Sequence, residues 1–487
     1  MVLNYRVIVH LAGYIILIIS VSMMPSLLVS FIYHEPEGVH AFFVTIIPMI
    51  FLGILLVWAS KPKSRKLRVR DGYAIVALCW ILASLFGAVP FVVSGYIPHF
   101  IDAFFETCSG FSTTGSSILT DVEALPQGLL FWRSFTHWLG GMGILVFAIA
   151  FLPTLGISGN KIAKVETTGP TLDKITPKMS DNAKILYLIY FGFTVVQVLL
   201  LMLGDMNLFD ALVNSFGSVG TGGFSNYSNS IEHYDSAYID AVITIFMMLA
   251  GVNFSLYYYI LQGNWKDFIQ DTEFKAYLFI FFGVSLVMAL NLWYSNLYTG
   301  LGESLRYSMF QSASMMTTTG FATADFDLWP TFSKILLFCL MFIGGCSAST
   351  AGSVKVIRIV ILFKMIKRGV ILRLHPRAVV SIKLGKKAIP ADTVSAIGGF
   401  IFLYIGIFFL GTLLVSLDNF DMITSMSAMA SCLGNIGPGF GSVGPTLNFS
   451  IFSDFTTGFL ALIMLAGRLE LFTIILLFSP HFWNPDK

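Results

Sequence analysis

Long apolar segments alternate with short polar ones along almost the whole chain. A helix needs about 20 mostly apolar residues to cross the hydrocarbon core of a membrane. Ten segments meet this requirement, near 5–33, 39–60, 72–97, 129–156, 184–205, 236–262, 275–296, 332–368, 391–416 and 451–479. The pattern therefore predicts an all-α membrane protein with an even number of crossings and both termini on one side.

Four shorter apolar segments lie between these predicted spans. They read IDAFFETCS, LFDALVNSF, ESLRYSMFQSAS and FDMITSMSAMAS, and they are too short to cross a membrane. Each leads into a Gly-rich stretch, and irregular backbone at membrane depth is tolerated only where it is buried or lines a cavity. We therefore predict four re-entrant pore helices, each followed by a loop. Acidic residues near their starts are expected to cap the helices rather than bind ions; these are Asp102, Asp210, Glu303 and Asp421.

The order span, pore helix, loop, span repeats four times after two initial spans. The predicted organisation is two extra N-terminal transmembrane helices in 1–70, followed by pore units at 71–183, 184–270, 271–390 and 391–487, with an intramembrane gating loop at 344–353 in the third unit. Units that cannot bury an apolar face alone pack against their neighbours. We predict that the four pseudo-symmetric units surround one central pore.

The charge distribution supports this assignment and orients the chain. The 487 residues are 56% hydrophobic and only 11% charged, against about 25% charged in soluble domains. Basic residues are concentrated in three segments, at 61–70, 161–184 and 364–387. Because basic loops stay in the cytoplasm, both termini are predicted to be cytoplasmic and the pore loops external. The basic runs are interpreted as orientation signals, and no nucleic-acid partner is expected.

The four loops align on a final glycine and contain no carboxylate. They consist of Ser112, Thr113, Thr114 and Gly115; Gly220, Thr221, Gly222 and Gly223; Thr317, Thr318, Thr319 and Gly320; and Gly434, Asn435, Ile436 and Gly437. Glycine reaches positive φ without steric cost, so such loops can aim successive carbonyls inward. A carbonyl ring without carboxylates suits a weakly hydrated monovalent cation rather than calcium.

We therefore interpret the loops as a potassium selectivity filter. The two middle positions of each loop are predicted to contact K⁺, namely Thr113, Thr114, Thr221, Gly222, Thr318, Thr319, Asn435 and Ile436. The alternative is that these small residues only allow helices to approach closely.

Glycines also recur about 25 to 30 residues after each filter glycine, and in the third unit they open an unusual stretch. It consists of Gly344, Gly345, Cys346, Ser347, Ala348, Ser349, Thr350, Ala351, Gly352 and Ser353. Three glycines and several hydroxyl residues make a poor helix. We predict a broken helix whose loop crosses the pore beneath the filter as a gate. A small-residue packing face is the alternative.

Arg468 is the only basic residue between 388 and 486. A charge inside a span is costly and usually faces a cavity or a partner. We predict that Arg468 faces the pore and raises a barrier to cations as part of the gate. The alternatives are a helical salt bridge or a side chain that reaches for lipid headgroups; Glu470 is a poor partner, because residues two apart lie on different helix faces.

These motifs together resemble the TrkH/KtrB/HKT superfamily of potassium and sodium transporters, and most closely the TrkH membrane subunits of bacterial Trk potassium uptake systems. The resemblance covers the full length. It implies transport of K⁺, with Rb⁺ also accepted, because all four filter positions are glycine and a serine at the first accompanies sodium permeability. It further implies a homodimer in the bacterial inner membrane and a cytosolic TrkA-type nucleotide-binding regulatory ring.

The chain is predicted to be a transporter, not an enzyme, and to hold no organic cofactor. It contains no phosphate loop, HExxH or nucleophile elbow, and its five cysteines lack metal-site spacing. Two mechanisms stay open: a channel-like pore, or a proton- or sodium-coupled symporter. Coupled carriers place ionisable residues at the midplane, and the sequence suggests almost none beyond Arg468, which favours the pore. The basic 364–387 segment is expected to meet the regulatory ring or anionic membrane lipid.

Overall fold

The protein is almost entirely helical over residues 4–61, 69–143, 179–385 and 387–483, which a computed structural model describes. Six of its helices are long and apolar enough to cross a membrane, Tyr5–Ile32, Pro36–Ala59, Arg70–Val93, Ala183–Leu203, Thr272–Tyr294 and Ala391–Asp418. The β-structure of the described ranges is one antiparallel pair, β1 (Lys383–Leu384) and β2 (Lys387–Ala388). The predicted helical membrane protein is thereby confirmed. Part of the predicted 129–156 span and most of the first two basic segments lie outside the described residues.

The helices follow the predicted order. An N-terminal group contains α1 (Tyr5–Ser22), α2 (Met24–Ile32) and α3 (Pro36–Ala59). Next come α4 (Val69–Val93), α5 (Phe100–Ser112) and α6 (Gln127–Gly141), and then α7 (Met179–Leu203), α8 (Leu208–Val219), α9 (Ala237–Ala250), α10 (Phe254–Leu261) and α11 (Trp265–Gln270). They are followed by α12 (Thr272–Tyr294), α13 (Leu301–Met316), α14 (Thr331–Leu340) and α15 (Val356–Leu374). The last group is α16 (Ala391–Val415), α17 (Met422–Gly434), α18 (Asp454–Arg468), α19 (Phe472–Phe478) and α20 (Pro480–Trp483).

Four short helices, α5, α8, α13 and α17, occupy the positions of the predicted pore helices. Three of them also pack against a helix of the preceding group: α8 on α6, α13 on α9, and α5 on α18. The last contact joins the end of the chain to its beginning. Three of the four junctions between neighbouring groups therefore involve one of these short helices.

The capping expectation is correct for α17 and wrong for α8. The carboxylate of Asp421 accepts hydrogen bonds from the amides of Ile423 (3.1 Å) and Thr424 (3.2 Å). At α8 the cap is Asn207, whose side chain accepts from the Asp210 amide at 2.8 Å. An amide or a carboxylate oxygen can satisfy the free N–H groups of a first turn equally well, and the sequence placed the cap three residues too late.

The helices that follow the loops break, and the break is not confined to the third unit. Helices α9 and α10 meet at 94° around Gly251, and α18 ends before Glu470 and Leu471, which both have φ near +60°. Continuous helices across 236–262 and 451–479 are therefore wrong. A Cβ atom on Gly467 would overlap the carbonyl oxygen of Leu433, at the end of α17. The glycines let these helices approach the ends of the pore helices, and the chain turns there.

The N-terminal helices fix the start of α6. The Glu35 carboxylate, between α2 and α3, accepts hydrogen bonds from the amides of Gln127 (2.6 Å) and Gly128 (3.0 Å). Helix α6 has no side-chain cap of its own, since its N-cap is Pro126. A carboxylate at a helix N-terminus satisfies free amides and complements the helix dipole, so the extra helices help to position the first pore unit.

Candidate ion pathway

The four predicted filter loops share one backbone turn. Their second residues, Thr113, Thr221, Thr318 and Asn435, all have φ between 53° and 56°. The amide of each third residue donates to a carbonyl five positions earlier, over 2.7 to 3.0 Å, as in the pair from Thr114 to Ser109. A left-handed conformation is uncommon for β-branched threonine, and such backbone persists where the surrounding structure enforces it, often at functional sites.

The final glycines of the loops contact one another in a closed cycle. A Cβ on Gly115 would meet the carbonyl oxygen of Gly222, one on Gly223 that of Thr319, one on Gly320 that of Ile436, and one on Gly437 that of Thr114. All four glycines have positive φ, between 81° and 111°. Each final glycine thus meets a carbonyl of the next loop, and the glycine of the fourth loop meets a carbonyl of the first. The loops that are 97 to 117 residues apart in sequence surround one axis.

Side chains of the loops form a buried polar framework behind this ring. The Asn435 amide nitrogen donates to the Thr114 hydroxyl (3.0 Å) and to the carbonyl of Met464 (2.8 Å). Within the described residues, Thr113 Oγ1 and Asn435 Oδ1 are buried and have no hydrogen-bond partner in the protein. These two oxygens belong to the same position in the first and fourth loops.

A cavity lies next to the ring of glycines, on the side where the four short helices begin. It is lined by residues of all four loops, including Gly115, Gly223, Gly320 and Gly437. Three bases outside the predicted cytoplasmic segments are each paired with a carboxylate: Arg133 with Glu106 (2.6 Å), Arg306 with Asp240 (2.7 Å) and Lys334 with Asp327 (3.4 Å). The bases are thereby neutralised locally, and the other carboxylates of this face can attract cations.

The pair between Glu106 and Arg133 is a feature that the sequence analysis missed. Both side chains are buried, and Glu106 also accepts from the amide of Ile118 at 3.0 Å, just after the first loop. Arg133 in turn donates to the carbonyl of Ser225 at 3.1 Å, just after the second loop. The pair therefore ties the first two loops together.

The predicted gate loop lies against two of the predicted filter loops. It fills the gap between α14 and α15, and its base is closed by a hydrogen bond from the Gly344 amide to the Val354 carbonyl (2.8 Å). The Gly352 amide donates to the Thr318 hydroxyl at 2.6 Å, and a Cβ on Gly352 would overlap the carbonyl oxygen of Gly434. The loop therefore touches the third and fourth filter loops directly.

The same loop also reaches the second unit and, through Arg468, the first. The Cys346 amide donates to the carbonyl of Gly251 at 2.8 Å. The Arg468 guanidinium donates to the carbonyls of Thr350 (2.7 Å), Gly140 (2.7 Å) and Gly141 (2.8 Å). Arg468 thus joins the gate loop to the end of α6. Glu470 pairs instead with Arg358, at 2.5 Å.

Two further ionisable residues, Lys355 and Glu273, are buried against the predicted gate loop, and the sequence analysis did not single them out. Lys355 is buried at the end of the gate loop, where its ammonium donates to the carbonyl of Ala351. Glu273, in the first turn of α12, is buried against the same loop. The sequence signal for Lys355 was a basic residue two positions after Ser353, inside the predicted 332–368 span.

Comparison with known proteins decides the family. The family model TrkH, described as a cation transport protein, matches residues 38–484 of the chain. The chain belongs to the TrkH family. The Trk system potassium uptake protein TrkH of Escherichia coli K12 is 37% identical to this family member, over 99% of this chain and all of that protein. The protein of the same name from Halomonas elongata is 36% identical, again over 99% of this chain and all of that one.

A solved structure agrees with the fold of this TrkH family member. The crystal structure of the potassium transporter TrkH from Vibrio parahaemolyticus matches it with a TM-score of 0.89 and 35% identity. The match covers 99% of this chain and all of that one. The protein is therefore a multi-pass membrane protein of a cation transport family.

Proposed function

We propose that the protein takes up K⁺ across the bacterial inner membrane through a channel-like pore. The observation that carries this proposal is the closed cycle in which each filter glycine meets the carbonyl of the next loop. Four such loops present carbonyl oxygens to one axis, and carbonyl oxygens can replace the hydration shell of a potassium ion. The relatives named as potassium uptake proteins support K⁺ as the transported ion.

The residues proposed to contact the ion are the two middle positions of each loop. Their carbonyls precede the final glycines, and the oxygens of Thr114, Gly222, Thr319 and Ile436 are the ones that each neighbouring glycine approaches. With no carboxylate among the sixteen loop residues, the ring favours a monovalent cation that loses water easily. We expect Rb⁺ to be carried as well.

Ion flux through purified protein in liposomes tests this function. K⁺ and Rb⁺ should enter much faster than Na⁺ and Li⁺, and an imposed membrane potential should drive them without a proton or sodium gradient. Equal flux of all four ions would contradict the filter. Potassium flux that requires a proton or sodium gradient would instead establish the alternative, a coupled symporter.

We propose that residues 344–353 and Arg468 form the gate. The loop contacts Gly251 and the Thr318 hydroxyl, and Arg468 links it to Gly140 and Gly141. These contacts with the second and third units, together with the link through Arg468 to the first, support a position of the loop beneath the filter. Opening requires that the loop moves aside.

Replacing Arg468 with alanine should raise resting K⁺ flux about tenfold, because three hydrogen bonds between the guanidinium and backbone carbonyls are lost, and a tenfold change corresponds to about 1.4 kcal/mol. Liposome flux measures the effect. Arg468→Lys is the matched control: it keeps the positive charge but not the planar fork that reaches three carbonyls. A lysine variant with wild-type flux would show that charge alone sets the barrier. An alanine variant with wild-type flux would remove Arg468 from the gate.

We further propose that the protein is a homodimer regulated by a TrkA-type ring that docks on the basic 364–387 segment. Lys367, Arg373 and Arg377 are exposed there. Changing all three to glutamine should reduce co-purification of the ring at least several-fold, while exchanging lysine and arginine among these positions should not. Unchanged co-purification, with weaker binding to vesicles of anionic lipid, would show that the segment meets the membrane instead.

A further inference from the structure

Glu273 is a buried carboxylate that binds both ends of the gate loop. Its Oε1 atom accepts hydrogen bonds from the amide of Ser347 (2.7 Å), the hydroxyl of Ser347 (3.2 Å) and the amide of Ile357 (3.0 Å). Its side chain is only 6% exposed. Ser347 lies near the start of the loop and Ile357 lies in the first turn of α15, so one oxygen atom joins the two sides of the loop.

The amides that Glu273 binds have no helical acceptor. Ser347 lies in irregular backbone, and Ile357 is among the first residues of α15, whose N–H groups find no partner within the helix. A buried amide without a hydrogen-bond partner is costly. Without Glu273, the amides of Ser347 and Ile357 would find a hydrogen-bond partner only if water entered or if the loop moved.

Glu273 and Arg468 hold the loop in complementary ways. Arg468, from α18, donates to the carbonyl of Thr350 in the middle of the loop, whereas Glu273, from α12, accepts from amides at its two ends. The contacts made by Glu273 and by Arg468 are also connected. Arg358 directly follows Ile357, and it pairs with Glu470, which lies two residues after Arg468. A shift of the first turn of α15 would therefore affect both sets of contacts.

We infer that Glu273 is the positioning residue that holds the gate loop closed, and that the loop must leave this carboxylate when the pore opens. The inference rests on the proposed function in one respect, that the loop is the gate. Glu273 has no role in contacting the ion.

The chain offers a direct reporter for this contact, Cys346, which is fully buried inside the loop. Of the cysteines in the described ranges only Cys339 is exposed, so the assay uses a Cys339→Ser background and a water-soluble maleimide. In Glu273→Ala, modification of Cys346 should become at least several-fold faster, and resting K⁺ flux in liposomes should rise about tenfold, or about 1.4 kcal/mol. Glu273→Gln keeps an acceptor oxygen and should be intermediate in both.

The matched control is Asp71→Ala. Asp71 is also a buried carboxylate in the first turn of a spanning helix, α4, and it accepts a hydrogen bond from the backbone amide of Asn4 at 3.1 Å, but it belongs to neither the filter loops nor the gate loop. Its replacement should change neither Cys346 modification nor flux. Glu273→Ala protein that elutes as wild type does and whose Cys346 stays protected would overturn the inference.

Deletion of Gly345 to Ser353 distinguishes a failure of the inference about Glu273 from a failure of the proposal that the loop is the gate. If Glu273 acts through the loop, Glu273→Ala should add nothing to the flux of the deletion variant, because residues that act as a unit are not additive. A further rise in that background would overturn the inference. If the deletion itself leaves flux unchanged, the gate assignment fails, while Cys346 modification still reports whether Glu273 holds the loop.

Discussion

Replacing Gly320 with alanine should reduce K⁺ uptake about a hundredfold, equivalent to about 2.8 kcal/mol. Gly320 has φ of +82°, and its Cβ would overlap the carbonyl oxygen of Ile436. An L-residue in left-handed backbone costs about 1–2 kcal/mol, and the overlap adds to this. The carbonyl of Ile436 must then turn or retreat from the axis. Rb⁺ uptake into liposomes measures the loss.

Two further glycine-to-alanine substitutions, one inside the ring and one outside it, test whether the effect is specific to the ring of filter glycines. Gly223→Ala should behave in the same way, because its Cβ would overlap the carbonyl of Thr319. Gly283→Ala should change nothing, since Gly283 lies in α12 with no atom near its Cβ position, and alanine favours a helix. Wild-type uptake and selectivity in Gly320→Ala would contradict the account of the filter.

Deletion of Gly345 to Ser353 should raise resting K⁺ flux at least tenfold. The deletion removes the contacts of the loop with Gly251, the Thr318 hydroxyl and Gly434. Nothing in the described residues then crosses beneath the filter between α14 and α15. Flux in liposomes, recorded without any regulatory subunit, measures the change.

The Arg468→Ala substitution, made in the deletion variant and in the full chain, is a control for the deletion. This arginine loses its Thr350 partner when the loop is removed, so Arg468→Ala should have a much smaller effect in the deletion variant than in the full chain. Unchanged or lower flux in a deletion variant that elutes as a stable, folded protein would contradict the role of the loop as a gate.

The pore helices and the filter loops were predictable because their signals are local. A segment of 9 to 13 apolar residues is too short to span, whatever surrounds it, and the glycines mark positive φ where alanine would not fit. The repetition of both features four times gave the cyclic arrangement, which the contact from Gly437 to Thr114 completes. The break in the helix at 344–353 was predictable for the same reason, since Gly344 to Ser353 make a poor helix.

The features that were missed depend on contacts between distant residues. Glu106 and Arg133 are 27 residues apart, and Glu273 and Ser347 are 74 apart. Hydropathy assigns each of these residues to a segment but says nothing about its partner. The break after Arg468 was missed because Leu471 has no sequence signal for a left-handed backbone. Gly467 packs closely against the end of α17 just before this turn, and such packing is a property of the folded chain.

The central claim is that four loops form one oxygen-lined ring that replaces the hydration shell of K⁺. Anomalous diffraction from crystals grown with Rb⁺ tests it most directly. The account predicts a peak on the axis between the loops that end at Gly115, Gly223, Gly320 and Gly437, and no peak at that position when Na⁺ replaces Rb⁺. Loops without a peak, in protein that carries Rb⁺ in liposomes, would contradict it.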